Sequence, residues 1–105
     1  MSALFVYITA PDPETARHLA STLVRERLCA CANIFDRMES FYWWEGKVDH
    51  AQESVLVVKT TEERYPALEK RTLDLHPYDT PCIVALPLVK GAAPFLQWIT
   101  DETRS

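Results

Sequence analysis

Glycine is scarce in this chain: Gly46 and Gly91 are the only two in 105 residues. The dinucleotide fingerprint and the phosphate-cradling loop each need at least two glycines at close spacing, so both are excluded. No G-x-S-x-G elbow and no C-x-x-C pair occur either, which removes the common nucleophile and dithiol signatures. Three cysteines cannot all pair within one chain, and Cys29 and Cys31 are too close to bridge each other in an extended strand. The start, Met1-Ser2-Ala3 and a short apolar run from Leu4 to Ile8, lacks the basic region and long apolar core of a secretory signal. Reduced thiols in a cytoplasmic protein are therefore expected. No apolar run approaches the ~20 residues of a membrane helix, so no membrane partner is expected. Basic residues are outnumbered, 11 against 15 acids for a net charge of −4, and they are not clustered. Duplex binding needs clustered Lys and Arg, so nucleic acid is not an expected partner.

What is present describes an ordinary globular protein, 48% apolar and 25% charged. A chain of this length makes one domain, residues 1–105, and buries roughly 65% of its unfolded surface. Leu4 to Thr9 is β-branched and aromatic, a strand that Pro11 ends. Asp12-Pro13-Glu14 reads as a helix start with a capping carboxylate and proline in the first turn. Ala16, Leu19, Ala20, Leu23 and Val24 then form one apolar stripe, ending near Leu28. From Cys29 to Trp44 and back from Lys47 to Thr60 the pattern is a long hairpin turning at Glu45-Gly46, with a bend or bulge at Asp36 to Glu39. Thr60 to Glu63 opens a second helix carrying Tyr65, Leu68, Thr72 and Leu75, and Pro66 delays regular helix to about Tyr65. Cys82 to Val89 is a strand in which Pro87 marks an edge or bulge. A short helix follows with Phe95, Trp98 and Ile99 inward. The order β-α-β-β-α-β-α predicts an α+β fold: a ferredoxin-like split βαβ sandwich with a long central hairpin and an extra C-terminal helix.

Two helices cover one face of such a sheet, and the other face should alternate polar and apolar residues. Val55 to Val58 and Ile83 to Leu86 are instead apolar throughout, and Phe41 to Trp44 is four aromatics in a row. Apolar surface of this extent marks a partner surface, and self-association is the economical expectation.

Cys31-Ala32-Asn33-Ile34, Ser40-x-Tyr42-x-Trp44-Glu45-Gly46-Lys47, Lys59-Thr60-Thr61, His76-Pro77-Tyr78-x-x-Pro81 and Trp98-Ile99 come in an order and spacing that resemble the CutA divalent-cation tolerance family, from about Leu4 to Ile99. The resemblance implies a homotrimer of ferredoxin-like domains, similar to the nitrogen-regulatory PII-type proteins. It also implies a part in tolerance of copper and other divalent metals, with no required cofactor and no enzymatic activity. PII-like small-molecule signalling or a trimeric scaffold is the alternative. The ligand cleft it implies gathers Cys31, Trp44, Lys59, His76 and Tyr78, suited to a metal or a small anionic ligand. The family's proposed copper set of one thiol and two adjacent histidines is incomplete here, because Ile8 and Leu75 occupy two of its positions.

The residues carry their own chemistry. His76 suits copper or zinc as a neutral imidazole, or else hydrogen-bonds the turn before Pro77. Cys29 and Cys31, two apart on a strand, are expected on the same face, as a soft pair for Cu(I) or as small hydrophobes. His76 and Cys31 are thus the candidate metal ligands. Lys59, after four aliphatics, either snorkels or meets an anion. Trp44 and Tyr42 fit interface packing, Cys82 fits packing, and Glu62-Glu63 a solvated first helical turn. No nucleophile–base pair is evident from spacing, so binding is favoured over catalysis.

Overall fold

The computed structural model describes residues 2–104. The elements are β1 (Ala3–Ala10), α1 (Pro13–Arg25), β2 (Cys31–Trp44), β3 (Lys47–Thr61), α2 (Tyr65–Leu75), β4 (Ile83–Pro87) and α3 (Ala93–Glu102). The strands form one antiparallel sheet in the order β2-β3-β1-β4. This is the expected split βαβ arrangement with its extra helix.

Asp12 starts α1 as predicted: its side chain accepts the Thr15 backbone N–H at 2.7 Å, and Pro13 occupies the first turn. The helix stops by a left-handed residue that is not glycine. Arg27 has φ 58°, its N–H reaches the Val24 carbonyl, and the Leu28 N–H reaches the Leu23 carbonyl. These two bonds satisfy the last carbonyls, and they seat Leu28 over Leu23. Helix α2 begins at Tyr65, where Pro66 sets it, and β3 runs on to Thr61 before a turn. Pro87 ends edge strand β4, paired with Leu4, where its missing N–H costs least.

One face of the sheet is the core. Val6, Ile8, Leu56 and Val58 pack on Ala16, Leu19 and Leu23 of α1 and on Leu68 of α2, all almost inaccessible to water. The side chains between them in register, Phe5, Tyr7, Val57, Val84 and Leu86, point the other way. Helix α3 covers only one end of that face, where Ile99 packs on Ala3 and Ala30. The rest is open: Phe35, Val84 and Leu86 are 60%, 52% and 59% exposed.

Cysteines 29 and 31 do not share a face. Strand β2 begins only at Cys31, so alternation does not extend back to Cys29. Cys29 lies in the helix-side core, and burial, with a small contribution from Cys31, pushes its thiol up to about 12. Cys31 is paired with Lys59. The two thiols are therefore not presented side by side on one sheet face.

Strands β2 and β3 outrun the sheet. Beyond Ser54 they pair only with each other, making an arm that stretches the subunit to 44 Å. The arm turns at Glu45 and Gly46, both with positive φ (49° and 79°), the handedness a two-residue hairpin requires. At its base the register shifts between Phe35 and Met38. Arg37 (φ 60°) is in left-handed backbone there, while Asp36 accepts from the Arg37 N–H and the Ser54 hydroxyl. This is the bulge expected at Asp36 to Glu39.

Candidate functional site

The arm, the open sheet face and the loop from His76 to Cys82 enclose a groove of about 740 Å³. The loop is held at both ends by one residue of β1. His76, buried at the C-cap of α2, places Nε2 2.7 Å from the Thr9 carbonyl. Because a carbonyl only accepts, Nε2 carries the proton; Nδ1 is then free to accept the Tyr78 N–H, at 3.2 Å. At the other end the Thr9 N–H donates to the Cys82 carbonyl at 3.3 Å. Tyr78 is thereby fixed with its ring 4.8 Å from the imidazole and its hydroxyl donating to Glu53 at 2.9 Å.

Tyr7, on the open face of β1, donates its hydroxyl to the Met38 sulfur at 3.3 Å. Trp44 and Tyr42 reach the groove from the arm, which Phe41 and His50 stiffen by stacking at 4.2 Å with nearly parallel rings. The Tyr78 hydroxyl is pushed up to about 12 by burial, then by its hydrogen bond to Glu53 and that carboxylate's charge. Burial first, then Cys82 and Glu53, raises the Tyr7 hydroxyl, and burial then Glu53 raises the Cys82 thiol. All three groups are kept protonated, which suits binding and hydrogen bonding rather than nucleophilic attack.

The five expected cleft residues separate within one subunit. Trp44 and Tyr78 line the groove. His76 stands behind Tyr78 with both ring nitrogens engaged. Lys59 and its register partner Cys31 lie six positions along β3 from Glu53, roughly 20 Å away at ~3.3 Å per residue. There Lys59 donates to the Asn33 side chain at 2.8 Å. Thr9, which carries His76, pairs with Val55, four positions from Lys59 and thus ~13 Å distant. One ion cannot touch both His76 and Cys31 of the same subunit, so that expected pairing fails within a chain. Among the described residues no three His, Cys, Asp or Glu side chains converge as a metal site. Sequence reasoning passed over Tyr7, Glu53, Asp49 and Asp79. Only Glu53 left a trace, as an acid two positions before the apolar run of β3.

A four-stranded split βαβ sheet with α1 and α2 on one face, α3 over one end of the other and a protruding aromatic arm defines a ferredoxin-like domain whose second face is largely exposed. The chain belongs to the CutA1 divalent ion tolerance protein family, whose model matches residues 4–102. The divalent-cation tolerance protein CutA of Archaeoglobus fulgidus is 46% identical over 99 residues, 94% of this chain and 95% of the relative. That of Thermus thermophilus is 47% identical over 98 residues, 93% and 95% of the two chains. The solved CutA1 structure from Oryza sativa superposes with a TM-score of 0.96 at 39% identity, over 99% of this chain and 95% of the other. The solved structure of the Archaeoglobus protein, TM-score 0.94 at 41% identity over 97% and 99% of the chains, is described as that of a periplasmic protein. No helix among the described residues is long and apolar enough to cross a membrane.

Proposed function

We propose that this protein serves divalent-cation tolerance, copper among the cations, as a homotrimer that binds a metal ion or small ligand in clefts between subunits. The observation that carries the reading is the sheet face opposite α1 and α2, where Phe35, Val84 and Leu86 stand exposed beside an arm bearing Phe41, Trp43 and Val48. A trimer closing over these surfaces would bury an area in the range of obligate interfaces, upward of about 2,000 Å². It would also bring one subunit's Lys59 and Cys31 toward another's His76 and Tyr78. The 740 Å³ groove favours ligand binding over a scaffold alone. Protonated Tyr78 and Cys82 favour it over catalysis.

Metal binding is expected to be modest. To ligate, His76 must release either the Thr9 carbonyl or the Tyr78 N–H. With Cys31 it supplies two donors, short of the four of a structural zinc site. Calorimetric titration with Cu(II), and with Cu(I) under anaerobic conditions, should give affinities no tighter than roughly micromolar. Chelators should leave the assembly and its Tm unchanged, since apolar packing holds it. Nanomolar affinity, or a Tm lowered by chelator, would overturn this reading.

The cytoplasm is the proposed location, because Cys29, Cys31 and Cys82 are all free thiols. Recovery of the protein from a periplasmic fraction of its native cells would refute that placement.

A further inference from the structure

Helix α3 is poorly provided for as a helix. Ala92 at its N-cap offers no side-chain bond, and no acid lies in the first turn. Its last turn instead carries Asp101 and Glu102, the sign of charge that the C-terminal end of the macrodipole disfavours. Ten residues are too few to stay helical in water unaided. Of its side chains only Ile99 is buried, against Ala3 and Ala30, with Leu96 partly so. That cluster is separate from the main core, which lies on the opposite face of the sheet.

The far end of α3 is held by one residue from elsewhere in the chain. Arg27 donates through Nη1 to both the backbone carbonyl and the carboxylate of Glu102, each at 3.1 Å. The guanidinium offsets the ill-placed acid and satisfies a terminal carbonyl. The Arg27 carbonyl in turn accepts from Nε of Arg64, the N-cap residue of α2, at 3.3 Å. Arg27 does this from left-handed backbone after α1, a conformation that glycine adopts freely and arginine does not. A glycine there would relieve the backbone and lose the tie.

We infer that α3 is a strap that opens as a unit while the rest of the domain stays folded, with Arg27 as its clasp. Opening uncovers Ala3 and Ala30 and extends the open apolar face by the end that α3 occupies. Little holds the closed form beyond one buried isoleucine and the Glu102 bonds, and the main core is untouched by the change. Both clasp side chains are about half exposed, so losing the clasp shifts the opening severalfold without unfolding the domain.

Amide hydrogen exchange of the assembled, full-length protein tests this, comparing a peptide spanning 95–104 with one spanning 54–61. In the wild type the α3 peptide should exchange at least about 100-fold faster than the β3 peptide. Arg27→Gly should speed α3 exchange at least about fivefold, with β3 exchange unchanged or slower and the urea midpoint unchanged or higher. Arg27→Asn, which tolerates left-handed backbone but cannot reach Glu102, replaces it if the glycine variant fails to fold. The proposal is overturned if α3 in the wild type exchanges only together with β3, as it would if the assembly clamps the helix. It is equally overturned if the variant leaves α3 exchange unchanged, or speeds β3 as much as α3.

Discussion

Leu86→Glu is expected to take the protein apart. The wild type should sediment as three copies of the 12.0 kDa chain and show a Tm that rises with concentration, because folding is linked to assembly. Leu86 lies on edge strand β4, in register with Phe5 on the open face, and is 59% exposed in the single subunit. A glutamate there costs a lone subunit little, since the carboxylate stays in water. In an assembly that covers the face, the same carboxylate would be buried without a partner, at a cost of about 3 kcal/mol or more per subunit. Analytical ultracentrifugation of wild type and variant at matched concentrations separates the cases. A monomeric wild type at micromolar concentration would sink the trimer, and a variant that stays assembled would move the interface off β4.

The second large effect is expected at His76. Its imidazole joins α2, β1 and the groove loop through bonds to the Thr9 carbonyl and the Tyr78 N–H, and the residue is 8% exposed. Removing it leaves a carbonyl and an amide short of partners in a dry setting, with a cavity beside them. His76→Ala should lose about 2–4 kcal/mol of stability, read from the urea midpoint at constant slope. His76→Gln, which can offer an amide N–H to Thr9, should recover part of the loss. Unchanged stability of the alanine variant would show that the ring is not a structural tie and would return it to the candidate metal ligands.

Much of the fold was legible because its signals are local. Asp12-Pro13 marks a helix start, Glu45-Gly46 a hairpin turn and Pro87 an edge, each by the backbone chemistry of one or two residues. Irregular connectors were less legible. Arg27 takes the left-handed position that glycine usually announces, so the short link from α1 to β2 gave no warning and Cys29 was placed on the wrong face. The site was legible only in part, because register assembles it. Tyr7, Glu53 and Tyr78 come from a strand, a hairpin and a loop, separated by 46 and 25 positions. Nothing in their neighbourhoods announces that they meet. Lys59 looked functional for its position after four aliphatics, and the same strand carries it out of the groove.

The bulge at the base of the arm separates aim from pairing. One extra residue in β2 sits between Phe35 and Met38, yet Phe35 still faces Val55 and Met38 still faces Glu53. Excising that residue would leave Phe35 opposite Val55 and Met38 opposite Glu53, but would remove the Asp36 contacts and change the twist and direction with which the hairpin leaves the sheet. Met38 to Trp44 spans about 20 Å at ~3.3 Å per residue, so a swing of roughly 10° at the base carries the aromatic tip through ~3.5 Å. That displacement is about the breadth of a side chain. The hairpin is a lever with its fulcrum at Asp36 and Arg37, and the smallest changes in the backbone there are magnified most where the tryptophans are.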